Sequence, residues 1–199
     1  MLDVKLTNYD LNSVMDSFLT DQEMCAYAAY LRSHGCRPDL FPISKYPNAS
    51  ELTKSPSYDF NYDLVKDRPR HAKLIRAAQQ FIDFPYVWSG HRPETSFDCS
   101  GFIGYCMNQA GWQIGHETVQ GIFDYCEPIK DDAARAGDLI FFKGTWNTNR
   151  MSHTGIYLGN NTMIHACVPT IRYSNLNDKW SHRDVRWLDF DHIFARLPE

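Results

Sequence analysis

The apolar residues of this chain follow a helical period in the first half of its 199 residues and an extended pattern in the second half. From about Pro69 to just before Pro85, they lie on one face of a predicted helix whose other face is basic and polar. A second predicted helix follows Asp98 and ends at Gly111, and a third covers residues 117–125.

The pattern becomes extended after Gly137. A continuous apolar run predicts a buried strand there, and two runs flanking Asn160-Asn161 predict a hairpin, whereas residues 145–151 are polar and predict a loop. The predicted strands are residues 139–142, 153–159, 162–168, 171–173 and 190–197. Helices followed by antiparallel strands predict an α+β fold, with the helices packed on a central antiparallel β-sheet.

The first 60 residues differ in character from the rest of the chain. A weak helix is predicted over residues 11–19, and a capping box at residues 20–23 opens another helix that stops at Gly35. Prolines are frequent between residues 37 and 59, where they break regular structure. We therefore divide the chain into a helical arm with a Pro-rich linker, residues 1–60, and a main domain, residues 61–199.

Composition excludes several classes of protein. The net charge of −4 gives no basic surface for nucleic acid or an anionic membrane, and no apolar run reaches membrane-spanning length. Residues 1–21 contain no secretory signal peptide, so we expect an intracellular protein or part of a longer exported chain. The six cysteines form no C-x-x-C pair and match no structural zinc spacing, which favours buried free thiols.

Cys99 is a candidate nucleophile because it lies at the start of the second predicted helix. Unpaired backbone N–H groups and the helix dipole favour a thiolate at that position, and a thiolate attacks carbonyl carbon. Taken alone, such a cysteine is more often a small buried residue. Catalysis also requires a base and a group that orients the base.

Two of the eight histidines, His153 and His165, lie on the two arms of the predicted hairpin. A two-residue turn at Asn160-Asn161 would place them on opposite faces of the sheet. A three-residue connection or a single bulge would place His165 opposite Tyr157, on the same face as His153. We predict this second register because it brings the two imidazoles side by side.

In that register, we expect Cys99 to attack and His153 to take the thiol proton and return a proton to the leaving amine. His165 would hold the far nitrogen of His153. The backbone N–H of Cys99 would bind the oxyanion, with Tyr86 as a side-chain donor. Strand histidines and aromatic residues such as Tyr86 and Trp88 are more often structural, so only the combination favours catalysis.

Five motifs occur in order in the second half of the chain: Tyr86-Val87-Trp88-Ser89-Gly90, Asp98-Cys99-Ser100-Gly101-Phe102, Ala136-Gly137-Asp138-Leu139-Ile140-Phe141-Phe142, Ser152-His153-Thr154-Gly155-Ile156-Tyr157-Leu158-Gly159 and Met163-Ile164-His165-Ala166. In order and spacing they resemble the NlpC-type family of papain-like cell-wall cysteine peptidases. The resemblance implies a papain-like catalytic domain over residues 61–199, with Cys99, His153, His165 and Tyr86 as catalytic residues.

The resemblance also implies a substrate and the residues that bind it. Asp98 and Ser100 would line the pocket beside Trp88 and receive the peptidoglycan stem peptide. The expected reaction is hydrolysis of a stem amide bond, typically between γ-D-glutamate and a diamino acid. The chain departs from the family at Ala136, which replaces a proline, at Ser89, which replaces a glycine, and at His116, where relatives often carry an arginine. His116 would alter the contact with the substrate carboxylate.

Residues 37–41 and 88–121 are further similar to lysins of conjugative mobile elements from Gram-positive bacteria, which are usually terminal domains of membrane-tethered or exported proteins. We expect a monomer without cofactor or metal that faces the cell wall and contacts neither nucleic acid nor membrane. Four alternatives stay open: an N-acetylmuramoyl-L-alanine amidase, another thiol amidohydrolase or acyltransferase on this fold, a non-catalytic wall-binding module, and a metal site built from Cys99, His153 and His165.

Overall fold

The computed structural model describes residues 57–84, 86–93, 96–145, 148–167, 170–180 and 185–199. The helices predicted over residues 11–35 and nearly all of the proline-rich segment lie outside these residues, as does most of the proposed arm. The helices are α1 (Pro69–Gln79), α2 (Cys99–Ala110) and α3 (Val119–Tyr125). The strands are β1 (His91–Arg92), β2 (Ser96–Phe97), β3 (Glu127–Ile129), β4 (Leu139–Lys143), β5 (Met151–Gly159), β6 (Thr162–Ala166), β7 (Ile171–Asn175) and β8 (His192–Arg196).

The predicted α+β architecture is confirmed, with most elements starting and ending close to their predicted positions. Helix α3 begins two residues later than predicted because the Thr118 side chain caps it, accepting a hydrogen bond from Gly121 N at 3.1 Å. The polar segment predicted as a loop ends in strand, since Met151 pairs with Lys143. Strands β1, β2 and β3 were not predicted, because two- and three-residue strands carry no period of their own.

Six of these strands form one antiparallel sheet in the order β3-β8-β4-β5-β6-β7, and β1 and β2 form a separate pair. Helix α2 packs on one face of the large sheet, and α1 packs against α2, so that Ile75, Phe102 and Met107 share a core with Phe141 and Ile164. Side chains alternate along each strand, so the next residues point to the opposite face. That second face carries a smaller aromatic and aliphatic cluster of Ile140, Phe142, Met163, Leu176, Trp187 and Phe194.

A buried carboxylate joins the segment before α1 to the last strand. Asp138 is fully buried; its two oxygens contact Arg68 Nη2 at 2.6 Å and Arg196 Nη2 at 2.8 Å. Burial alone would raise the pKa of Asp138, but hydrogen bonds from Arg196, the Arg135 backbone N–H and Arg68 bring it below its ordinary value. The carboxylate therefore stays charged and fixes the start of β4 relative to α1 and β8.

The register of the β5–β6 hairpin differs from both registers considered from the sequence. Asn160 and Asn161 form a two-residue turn with φ values of 49° and 54°, and Gly159 pairs with Thr162. The ladder then shifts, because Tyr157 pairs with Met163 and Leu158 is left without a partner in the ladder. His165 consequently lies across from Gly155, and the prediction that it faces Tyr157 is wrong by two positions.

Candidate active site

Asp98 is the N-cap of α2 and places Cys99 at the first position of the helix. Its Oδ1 accepts hydrogen bonds from Gly101 N at 2.7 Å and from the Ser100 hydroxyl at 3.1 Å. Its Oδ2 accepts from the backbone N–H of Ser89 at 3.0 Å. Two residues predicted to line the substrate pocket, Asp98 and Ser100, thus also build the helix start that holds the thiol.

Cys99 is almost completely buried, with 8% of the residue's surface exposed. Burial raises its pKa far above the ordinary value, and the Asp98 charge raises it further. The backbone N–H groups of Ser100 and Cys99 lower the pKa, as expected at a helix start, but their effect is smaller. The expectation of a thiolate at this helix start is therefore wrong for the substrate-free protein, whose thiol is neutral at physiological pH.

His153 and His165 are brought together on one face of the sheet, beside Trp187. His153 Nε2 lies 2.8 Å from His165 Nδ1, which is a hydrogen bond between the two rings. Both side chains are buried, and burial lowers the pKa of both imidazoles well below the ordinary value. The expectation that the two imidazoles lie side by side on one face is confirmed, although the register that achieves it is a different one.

Trp187 covers this pair of imidazoles. Its ring stacks on His153 at a centroid distance of 5.1 Å and an interplanar angle of 23°, and it makes a T-shaped contact with His165 at a centroid distance of 5.0 Å. The short 3-10 helix Trp187–Asp189 supplies it, and Trp180 stacks on the Trp187 ring at a centroid distance of 5.1 Å. The aromatic cover explains why the two histidines are buried and why their neutral forms are favoured.

The far nitrogen of His165 contacts residues that the sequence did not suggest. His165 Nε2 lies 2.9 Å from Ser174 Oγ on β7 and 3.6 Å from Cys167 Sγ at the end of β6. Cys167 also has a small electrostatic effect on Cys99, so it lies near both the thiol and the histidine pair. No periodic signal marks Ser174, because it meets His165 only through the pairing of β6 with β7. Cys167 follows His165 by two positions along the chain.

Cys99 and His153 form no direct hydrogen bond between these described residues. Within the described ranges, the hydrogen bonds of His153 include no contact with the Cys99 sulfur. Bonds between a nucleophile and its base are often long in a substrate-free enzyme and tighten when substrate binds. The two groups are therefore a candidate pair whose proton transfer requires closer approach.

Tyr86 and Trp88 lie on the segment that approaches the start of α2. Tyr86 is half-buried and its backbone bridges to Phe97, two residues before Cys99. Trp88 is also half-buried, on the stretch that leads to Gly90. A Cβ at Gly101 would collide with the Gly90 carbonyl, so a glycine is needed for this segment to lie directly against the helix.

His116 has a partner that the sequence did not predict. Its ring stacks on His91 at a centroid distance of 4.2 Å and an angle of 19°. Arg92 donates to His91 Nε2 at 3.0 Å, so the proton of a neutral His91 is on Nδ1, 3.2 Å from Ser89 O. Burial raises the pKa of Asp98, and the hydrogen bonds that Asp98 accepts reduce this rise. His116 also lowers the pKa of Asp98 electrostatically, so the stacked pair of histidines lies beside the start of α2. Closeness to the Trp88-to-Gly90 motif is the one sequence signal that could have drawn attention to His91 and Arg92.

In the parts of the chain that the structure describes, no three His, Cys, Asp or Glu side chains are grouped so as to hold a metal ion. The helices among these residues are all too short or too polar to span a membrane.

Comparison with protein families gives a match to the NlpC/P60 family model over residues 83–188, a range that contains Cys99, His153 and His165. The bifunctional muramidase/DL-endopeptidase CwlT of Bacillus subtilis is 32% identical over 154 residues, covering 71% of this chain and 45% of that protein. The probable peptidoglycan endopeptidase LytE of the same organism is 35% identical over 109 residues, covering 55% of this chain and 31% of LytE. A gamma-DL-glutamyl hydrolase of Bacillus subtilis is 29% identical over 123 residues, covering 60% of this chain and 29% of that protein. The chain thus spans less than half the length of each of these curated relatives.

Solved structures give the same result. An NLP/P60 family protein of Staphylococcus aureus, described as similar to lipoprotein, superposes with a TM-score of 0.58 at 26% identity, covering 87% of this chain and 61% of that chain. The NlpC/p60 domain of the peptidoglycan hydrolase SagA superposes with a TM-score of 0.50 at 29% identity, covering 62% of this chain and 97% of that domain.

Proposed function

This chain belongs to the NlpC/P60 family, whose model matches residues 83–188, and from that membership we propose that it is a peptidoglycan hydrolase. Its activity is that of a cysteine endopeptidase that cuts the stem peptide between γ-D-glutamate and the diamino acid. The names of the relatives support this, since they include a DL-endopeptidase and a gamma-DL-glutamyl hydrolase. The observation that carries the proposal is the 2.8 Å hydrogen bond between His153 and His165 inside the matched region.

The proposed reaction begins with Cys99 and His153. Because Nε2 of His153 is bonded to His165, Nδ1 is the nitrogen left to take the thiol proton. The resulting thiolate attacks the γ-carbonyl carbon of D-glutamate, and the C–N bond breaks as His153 returns the proton to the leaving amine. Water then hydrolyses the thioester with His153 as the base, which releases the γ-carboxylate and restores the thiol.

The oxyanion of each tetrahedral intermediate would be bound at the start of α2. The backbone N–H of Cys99 belongs to the first turn of the helix, where N–H groups have no partner within the helix. The Tyr86 hydroxyl would supply the second hydrogen bond, because its segment lies against this end of the helix. Both donors stabilise charge that exists only after attack.

Burial determines the stage of the reaction at which the thiolate and the imidazolium form. In the free protein, both the Cys99 thiol and the His153 imidazole are neutral, since burial disfavours the charged form of each. A thiolate and an imidazolium would therefore form together, when substrate brings the two groups into contact. The Trp187 ring over His153 would favour the imidazolium by a cation–π interaction.

The substrate would lie along the groove formed by the Tyr86-to-Arg92 segment and the start of α2. Asp98 and Ser100 would receive the stem peptide, and Trp88 would form an apolar wall. His116 would contact a substrate carboxylate, with Arg92 contributing a positive charge nearby. The partner is thus the peptidoglycan stem peptide; we propose that the protein acts outside the cell as a monomer and as part of a longer exported chain.

The test is digestion of a defined γ-D-glutamyl-diaminopimelate stem peptide and of intact muropeptides. Wild type should release the amino terminus of the diamino acid, and Cys99→Ser should lose activity by several orders of magnitude. Cys106→Ala is the matched control, because Cys106 is a buried thiol on the same helix and should leave the rate unchanged. Release of the whole stem from the sugar would instead indicate an amidase, and activity in Cys99→Ser would contradict the proposal.

A further inference from the structure

The hydrogen-bonded chain that starts at His153 does not stop at His165. His165 Nδ1 bonds to His153 Nε2 at 2.8 Å, and His165 Nε2 lies 2.9 Å from Ser174 Oγ. His165 is fully buried, so both of its ring nitrogens depend on these partners rather than on water. Ser174 is thus the third member of a chain that begins at the proposed base.

The protonated state of His153 fixes the direction of each of these hydrogen bonds. An imidazolium carries protons on both nitrogens, so His153 Nε2–H must donate to His165 Nδ1. A neutral His165 that accepts at Nδ1 carries its own proton on Nε2. That proton points at Ser174 Oγ, which must therefore accept it.

The opposite arrangement would remove the base. If His165 carried its proton on Nδ1, it would donate to His153 Nε2, and the proton of a neutral His153 would be on Nδ1. No lone pair would then remain on His153 for the thiol proton. A group that accepts from His165 Nε2–H favours the productive arrangement over this one.

We propose that Ser174 is a positioning residue, whose oxygen accepts the Nε2 proton of His165 and thereby keeps His153 Nδ1 free to take the thiol proton. The inference rests on the proposed function of Cys99 and His153. Ser174 acts through the two histidines and does not touch the substrate.

The other groups around His165 cannot replace Ser174 in this role. Arg172, directly opposite His165 on β7, is a cation and has no acceptor atom. Cys167 Sγ is a weak acceptor at 3.6 Å. The other ring nitrogen of His165, Nδ1, is already hydrogen-bonded to His153. Burial, His153 and Arg172 all disfavour a charge on His165, so the ring relays a hydrogen bond while remaining neutral.

The experiment compares wild type with Ser174→Ala, Ser174→Thr and Tyr173→Phe. Threonine keeps the hydroxyl and suits a strand. Tyr173→Phe is the matched control, because Tyr173 is the neighbouring strand residue and its hydroxyl bonds Gln79 on α1, away from the histidines. Two quantities are measured across pH 5–10: kcat and KM on the stem peptide, and the rate at which iodoacetamide alkylates Cys99, with Cys99→Ala subtracted as background.

Ser174→Ala should lower kcat roughly tenfold to a hundredfold, the range found when the outer partner of a metal-binding imidazole is removed. KM should stay within about twofold, and the alkylation rate at a given pH should fall about tenfold, as expected when the pKa of the thiol rises by about one unit. Ser174→Thr should recover most of both effects, and Tyr173→Phe should match wild type.

A Ser174→Ala protein with wild-type kcat and a wild-type alkylation rate would overturn the inference. So would equal losses in Ser174→Ala and Tyr173→Phe, because they would indicate a general effect on the strand. If wild type fails to cut the peptide, the proposed function fails, while the alkylation rate still decides whether Ser174 acts on the thiol–imidazole pair.

Discussion

Gly155 sets the space in which the two histidines meet, so Gly155→Ala should separate them. Gly155 lies directly across from His165 in the hairpin. A Cβ at residue 155 would be 3.1 Å from His165 Cβ, 3.1 Å from Met163 Sδ and 3.2 Å from Ile164 O. These contacts are too close by a few tenths of an ångström, and one of the three neighbours is backbone that cannot move independently.

The size of the effect follows from that displacement. The His153–His165 hydrogen bond is 2.8 Å long, and moving His165 by a few tenths of an ångström takes it to the limit of good geometry. Since a misplacement of about 1 Å costs about a hundredfold in rate, we expect kcat to fall about tenfold. Overpacking should also destabilise the protein by about 1–2 kcal/mol after the entropy benefit of replacing a glycine.

The assay pairs kcat on the stem peptide with urea unfolding, and Gly104→Ala is the control. A Cβ at residue 104, on α2, would be 3.5 Å from Gly115 O, an ordinary contact. That substitution should stabilise the helix by about 0.4–1 kcal/mol with no change in kcat. If Gly155→Ala keeps both the wild-type rate and the wild-type stability, residue 155 does not set the position of His165.

Three further outcomes are expected. Asp138→Asn should cost about 3–5 kcal/mol in urea unfolding, because it leaves Arg68 and Arg196 facing a neutral group; a loss below about 1 kcal/mol would contradict this. His71 and His153 have folded pKa values of about 4 and about 3 against 6.5 in the unfolded chain. The contribution of these two histidines to the free energy of unfolding should therefore be fully present above about pH 6.5. It should fall towards pH 4 by up to about 1.4 kcal/mol per pH unit for each histidine, and a flat profile would refute this expectation. EDTA should leave activity intact while iodoacetamide removes it, and the reverse pattern would indicate a metal site.

The sequence predicts this fold well because its elements are long enough to show their period. Helix α1 and strand β4 both carry a continuous apolar pattern, and both are found close to where the pattern places them. Strand β3 and the Trp187–Asp189 turn are three residues each and are held by non-local partners, β8 and the histidine pair. No local pattern can indicate contacts of that kind.

The candidate site divides in the same way. The positions of Cys99 at a helix start and of two histidines on a hairpin follow from local sequence. The protonation state of the thiol does not follow from local sequence, because the desolvation that raises the pKa of Cys99 depends on how tightly distant residues pack around it. Ser174 was missed for a similar reason, since only sheet order brings β7 beside β6.

The bulge at Leu158 has a consequence for chain length. In a regular hairpin with a two-residue turn, residues that face each other are an odd number of positions apart, as Gly159 and Thr162 are. His153 and His165 are 12 positions apart, and they share a face only because one residue between them has no place in the ladder. Deleting Leu158 would therefore give a regular ladder and keep His153 and His165 on the same face. The deletion would remove one buried side chain. In related chains, an in-frame gap of one codon between the two histidines is compatible with the same site when it falls at this residue.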